Sequence, residues 1–124
     1  MVCLDSDILI DFLNNKKEAV QRINKLKNDD VQLAITTINS FELLNVSDKE
    51  KLQKVKDFIL NFTIYDFNFE SSENAAKIFQ ELKARGEIIE ITDIMIASIV
   101  MANNETLLTN NVKHFERITN LELE

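Results

Sequence analysis

MVCLDSDILIDFL, residues 1–13, begins with a short apolar run from Met1 to Leu4 that stops at Asp5, and this reads as a strand whose carboxyl end carries an acid. Working outward, Val31 to Ile35 and Thr63 to Phe67 are also short and rich in branched or aromatic side chains, so both read as strands. Thr106 to Leu108 and Leu121 to Leu123 are of the same type, though too short for periodicity alone to decide. Between these runs the apolar spacing becomes helical. Leu52, Val55, Ile59 and Phe62 share one helix face, as do Ala75, Ile78, Phe79 and Leu82, and Gly86 follows where a left-handed residue commonly closes a helix. From Thr92 the run is apolar nearly all round, which predicts the most buried helix, with Thr92 as its cap. Asn39 or Ser40 is expected to start the helix that carries Glu42. Strands alternating with helices imply right-handed crossovers, hence an α/β fold of three layers, α/β/α, with a mainly parallel central sheet.

Composition narrows the chemistry. The 124 residues suit one domain, expected to span 1–124, and no linker, repeat or low-complexity stretch marks an internal boundary. One glycine and no proline leave nothing from which to build a glycine-rich phosphate loop, which argues against ATP, GTP and NAD sites. A single histidine and a single cysteine exclude a closed zinc site of those ligands, and Cys3 reads as buried apolar filler in its strand. The lone cysteine, the lack of a basic leader and the lack of any apolar run near ~20 residues point to the cytoplasm, with no membrane span. The net charge of −7 runs against the basic footprint of most nucleic-acid binders. A metal-dependent nuclease tolerates it, because acids must cluster to hold a cation that then attracts phosphate.

Three acids occupy positions that converge in such a sheet. Asp5 closes the first strand, Glu42 is expected in the first turn of a helix soon after the second, and Asp93 opens the buried helix. Ligands of parallel sheets bind beyond the carboxyl ends of the strands, where all three can face. Grouped carboxylates repel one another unless a cation compensates, and oxygen-only ligands favour Mg²⁺ or Mn²⁺. Acids at helix N-termini also have a plain structural explanation in capping and the helix dipole; it is the joint pattern of three that favours a site. Asp7 is either a support for Asp5 or a helix cap, Asp11 a solvated helix position, and Glu90 a possible addition to the acidic edge. His114 reads as a helix residue beside a core Phe115, while Lys113 and Arg117 are either RNA phosphate contacts or solvated surface.

Four segments carry a resemblance: LDSDILIDFL (4–13), TTINSFELL (36–44), RGEIIEITDIMIAS (85–98), and LLTNNVKHFERI (107–118) with the closing LELE. In this order the chain resembles a PIN domain of the VapC type, the toxin of prokaryotic toxin-antitoxin pairs. The resemblance implies a Mg²⁺- or Mn²⁺-dependent endoribonuclease with Asp5, Glu42 and Asp93 as its acidic core, a homodimer, and inhibition by a small VapB-type antitoxin covering the site. Many PIN domains have an aspartate where this chain has Asn111. An asparagine can coordinate through its carbonyl oxygen but adds no charge, so the expectation is one firmly held ion. Thr109 and Asn110 beside it are candidates for capping or for phosphate contact.

Rival readings are a phosphatase of the haloacid-dehalogenase type, a receiver domain, and a catalytically silent PIN-like module that binds and regulates a partner protein. Asp5-Ser-Asp7 mimics the phosphatase's paired aspartates, but the glycine-aspartate pair needed downstream is missing, since Gly86 precedes Glu87. The receiver reading lacks a phosphorylatable aspartate on a middle strand, because Asp57 falls within a helical pattern. Asn111 and the acidic charge motivate the silent module, and cleavage of RNA by the purified chain with Mn²⁺, lost in Asp5→Asn and Asp93→Asn, is the observation that discriminates the two.

Overall fold

The computed structural model describes all 124 residues. Along the chain run β1 (Val2–Leu4), α1 (Ser6–Leu13), α2 (Lys17–Asn28), β2 (Leu33–Thr36), α3 (Thr37–Leu44), α4 (Lys49–Ile59), β3 (Thr63–Tyr65), α5 (Phe69–Ala84), α6 (Ile91–Ala102), β4 (Thr106–Leu108), α7 (Val112–Phe115) and β5 (Glu122–Leu123). The five strands form one sheet in the order β3-β2-β1-β4-β5, every neighbouring pair parallel. β1 lies at the centre, in register with Leu33 and Ala34 on one side and with Thr106 to Leu108 on the other.

Strand alternation divides the core in two. Cys3, Ala34 and Leu107 point to one face and pack under α5, α6 and α7 with Ile78, Ile96 and Phe115. Val2, Leu4, Ile35 and Leu108 point to the other and pack under α1 to α4 with Ile8, Ile23 and Ile59. This is the expected three-layer α/β/α arrangement. Cys3 is fully buried, and burial pushes its thiol up to about 12, in keeping with an apolar filler. α6 is the most enclosed helix, burying Ile94, Ile96, Ala97, Ser98, Ile99 and Val100.

The scarcity of glycine is explained at the helix ends. Gly86 has φ +69° and closes α5 with Gly86 N–H donating to Lys83 O and Glu87 N–H to Leu82 O. The same pair of bonds closes α1, α2 and α6, but the left-handed residue there is Asn15, Asp30 or Asn104. Asparagine and aspartate tolerate this conformation best after glycine, so three of the four turns do without it.

Several expected boundaries move. α3 starts at Thr37, ahead of Asn39 and Ser40, because Thr36 caps it in a reciprocal box: Asn39 N–H donates to Thr36 Oγ1 and Thr36 N–H donates to Asn39 Oδ1. Glu42 therefore sits in the second turn of α3 and not in the expected first turn. Thr92 does not cap α6, which begins at Ile91 after Glu90, and no side chain bonds that end. Phe62 lies beyond α4, packed edge-on against Phe58 with ring centroids 5.1 Å apart, and Phe79 is on the partly open side of α5. β2 is displaced to Leu33–Thr36 and β3 stops at Tyr65, before Phe67. Residues 17–28, for which periodicity named no helix, form α2.

Candidate metal centre at the carboxyl edge of the sheet

Beyond the carboxyl ends of β1, β2 and β4 lies a cavity of about 180 Å³ whose lining includes Asp5, Asp7, Glu42, Asp93, Asn111 and His114, with no hydrophobic side chain. Parallel pairing brings these residues together, since Leu4, Thr36 and Leu108 end their strands at one edge and each leads directly into the next segment.

Asp5 is 5% exposed. Its backbone N–H donates to Leu108 O at 2.9 Å, carrying β1 one residue past the strand, and its carboxylate caps α1 by accepting from Ser6 N–H at 2.8 Å. The other carboxylate oxygen accepts from the buried Thr109 hydroxyl at 2.7 Å. Burial raises the Asp5 carboxyl to about 7; Thr109 and Ser6 oppose the rise, and the charges of Asp7 and Asp93 add to it. Asp7 is also pushed up by burial, although Ile8 N–H (2.7 Å) and Asn110 N–H (3.1 Å) both donate to it. Asp93 is raised by burial and by Glu90 and Glu42, against the pull of His114.

Glu42 is held from below. Ser6 Oγ donates to Glu42 Oε1 at 2.7 Å and accepts from Asn39 Nδ2 at 2.9 Å, while Asn39 Oδ1 accepts from the Thr36 hydroxyl at 2.8 Å. Asn39 is fully buried, and both ends of its side-chain amide are hydrogen-bonded. Asn39→Ala should leave the Thr36 N–H and hydroxyl without their acceptor and remove the amide that steadies Ser6 Oγ, lower stability by about 1–3 kcal/mol, and cut any activity that needs Glu42 by roughly 10–100-fold. Denaturant melts alongside cleavage rates would check both.

His114 is a helix residue beside the buried Phe115, as expected, and it also lines the cavity. Its Nδ1 is 2.9 Å from Asn111 Nδ2 and 3.7 Å from Asp93 Oδ2. With the Asn111 amide donating, Nδ1 is the unprotonated nitrogen; with the amide turned over, a protonated Nδ1 faces both Asn111 and Asp93. Thr109 does not cap α7; it sits beneath Asp5 and accepts from Asn111 N–H at 2.9 Å. Asn110 lies outside the cavity, on the rim of a neighbouring one. Asp11 accepts from Asn110 Nδ2 at 3.2 Å and is half-buried, so it is not simply solvated. Glu90 does join the acidic lining. Lys113 and Arg117 are exposed and border neither cavity.

Ser6, Thr36 and Asn39 are functional candidates that sequence reasoning missed. The usual sign of a reciprocal cap is Ser or Thr followed three residues later by Glu or Gln, and here Asn39 fills that place.

The donor chemistry fits a hard divalent cation: carboxylate oxygens dominate, and burial, with the neighbouring acids adding to it, already drives three of the carboxyls toward their neutral forms. No three of the acidic or imidazole side chains stand as a finished cage. Glu42 is turned onto Ser6 and Asp93 toward His114, so ligation calls for a rotamer change or a bridging water.

A three-layer α/β/α domain with an acidic cavity where parallel strands end is the class this fold and site define. The family model for the PIN domain matches residues 2–121, and the chain belongs to that family. Among curated relatives, Ribonuclease VapC2 of Rickettsia felis is 33% identical over 98% of this chain and 94% of its own length. Ribonuclease VapC1 of Methanocaldococcus jannaschii is 29% identical over 99% and 85%. Among solved structures, that of VapBC2 from Rickettsia felis bound to a DNA fragment from their promoter superposes with a TM-score of 0.85 at 30% identity, covering 100% of this chain and 98% of that one.

Proposed function

We propose that this chain, as one PIN-like domain over 1–124, is a divalent-metal-dependent endoribonuclease and the toxin of a type II toxin-antitoxin pair. The observation that carries this reading is the gathering of Asp5, Glu42 and Asp93 around one cavity, in a family whose similar members are named ribonucleases.

Asp5, Glu42 and Asp93 would hold Mg²⁺ or Mn²⁺, with Asn111 offering a neutral oxygen. The bound ion supplies a water of lowered pKa and positive charge against the phosphoryl oxygens. The chain's own residues do the positioning. Thr109 and the Ser6 amide fix both oxygens of Asp5, and Ser6 with Asn39 fixes Glu42. Asp7, bonded to the Asn110 amide, steadies the loop after β4 that carries Asn111.

The same reading assigns an RNA substrate, a cognate VapB-type antitoxin, a homodimer and a cytoplasmic location. The antitoxin is supported by the VapBC complex among the structural neighbours. The antitoxin is tested by co-purifying the product of the adjacent small reading frame.

Purified chain with Mn²⁺ should cut tRNA or rRNA pools and stop when EDTA is added, and Asp93→Asn should be inactive though folded. A wild type as inert as that variant would replace the nuclease by the silent protein-binding module. Turnover of a generic phosphate ester would favour the phosphatase. Asn111→Asp should tighten Mn²⁺ binding by adding a charge, read by calorimetry, and unchanged affinity would remove Asn111 from the site.

A further inference from the structure

Next to the acidic cavity lies a larger one of about 390 Å³, between α1 and the start of α2, bordered by Ile8, Asp11, Lys16, Lys17, Arg22 and Asn110 among others. That volume falls within the roughly 300–1,000 Å³ of ligand sites. The wall between the cavities is Asn110. Its backbone N–H donates to Asp7, its side-chain Nδ2 donates to Asp11 at 3.2 Å, and its side-chain Oδ1 accepts from Arg22 Nη1 at 3.3 Å. Arg22 is thus one residue away from Asn111, which lines the acidic side.

Charge is distributed unevenly in this region. Of the 14 Lys and Arg residues in a chain of net charge −7, Lys16, Lys17, Arg22, Lys25 and Lys27 fall within residues 16–27, with Glu18 the one acid among them. Lys16, Lys17 and Arg22 are exposed, and no salt bridge engages them. Two acids, Asp11 and Glu18, also border the cavity; Asp11 is already occupied by Asn110, which leaves three cations against one free carboxylate. A cationic cavity against an anionic one gives a polyanion a place to rest its backbone on either side of a cation-bridged phosphate.

We infer that the cavity between α1 and α2 is a backbone-phosphate subsite for single-stranded RNA, in which Lys16, Lys17 and Arg22 hold phosphates flanking the bond at the acidic cavity. This rests on the nuclease reading for its geometry, but it is tested by binding alone. Lys25, one turn beyond Arg22 and bordering a further surface hollow with it, extends the track, whereas Lys27 turns away from it over the Phe12 ring.

The test is fluorescence anisotropy of a labelled single-stranded oligoribonucleotide in EDTA, where no metal-dependent cleavage can occur, over a series of salt concentrations. Lys16→Gln/Lys17→Gln and Arg22→Gln should each weaken binding by about fivefold or more, and the salt slope should fall by roughly 0.7 for each phosphate that is no longer neutralised. Lys51→Gln/Lys54→Gln on α4 removes the same charge as the double α2 variant, from exposed positions bordering neither cavity, and should bind within about twofold of wild type. The subsite is overturned if the α2 variants bind like wild type or if the α4 control is weakened as much. It is also overturned if polyglutamate displaces the RNA as well as unlabelled RNA does, which would assign the surface to an acidic protein partner. A chain that binds RNA through α2 but cuts none with Mn²⁺ refutes the nuclease and keeps the subsite. Cleavage with unaltered KM in the α2 variants does the reverse.

Discussion

Asp5→Asn should abolish RNA cleavage and at the same time make the metal-free protein more stable at pH 8. Loss of the central ligand removes at least about a hundredfold of activity, because neighbours that only orient ligands already account for 10–100-fold. The stability gain has a separate origin. Asp5 is 5% exposed, and its carboxyl is raised from 3.8 to about 7, chiefly by burial. The folded state therefore holds this proton more tightly than the unfolded chain does. The stability that protonation supplies is complete below about pH 4 and is lost as pH rises toward and through 7. The ionised side chain at pH 8 costs the fold on the order of 4 kcal/mol, which a neutral asparagine avoids. Asparagine also keeps the local bonds, since its carbonyl can accept from Ser6 N–H and its amide can donate to the Thr109 hydroxyl, which bonds Asp5 at present. A rise in Tm on the order of 10 °C is expected by scanning calorimetry in EDTA. An unchanged or lower Tm would mean that the Asp5 carboxylate is compensated in some other way.

Mn²⁺ should reverse the pH dependence of the wild type. Without metal, Asp5, Asp7 and Asp93 are all raised, so stability falls from pH 5 to pH 8. A cation that binds only the folded chain contributes about 2.7 kcal/mol at a hundred times its Kd. Protons compete for the same carboxylates, so this gain should be much larger at pH 8 than at pH 5. Melting curves at both values, with and without Mn²⁺, give the comparison. Equal shifts at the two pH values would place the ion away from these carboxylates.

Sequence patterns expose most of the layers because the strands alternate cleanly and α6 is apolar on all sides. Val2 and Leu4 face one way and Cys3 the other, and this alternation alone requires helices on both faces. α2 is harder to see in the sequence because its apolar stripe, Ala19, Ile23 and Leu26 with Val20 beside them, is narrow and only Ala19 and Ile23 are fully buried among charged and polar neighbours. The acidic residues are legible because an acid directly after a strand is conspicuous in a parallel sheet. Their supports are not, since Ser6, Asn39 and Thr109 are ordinary polar residues whose value arises from bonds made across the fold. Thr109 lies 104 residues from Asp5 in sequence, and no local spacing announces that bond. That His114 borders the cavity is hidden in the sequence for a related reason. α7 is one short turn, and its direction follows from the packing of Phe115 beneath it, which the sequence does not display.

Isothermal titration of Mn²⁺ into the wild type and into Asp5→Asn, Glu42→Gln and Asp93→Asn tests most directly whether the three carboxylates share one ion. The wild type should show one site, and each substitution should weaken it by at least about tenfold. Wild-type affinity retained in any of the three would contradict the shared centre.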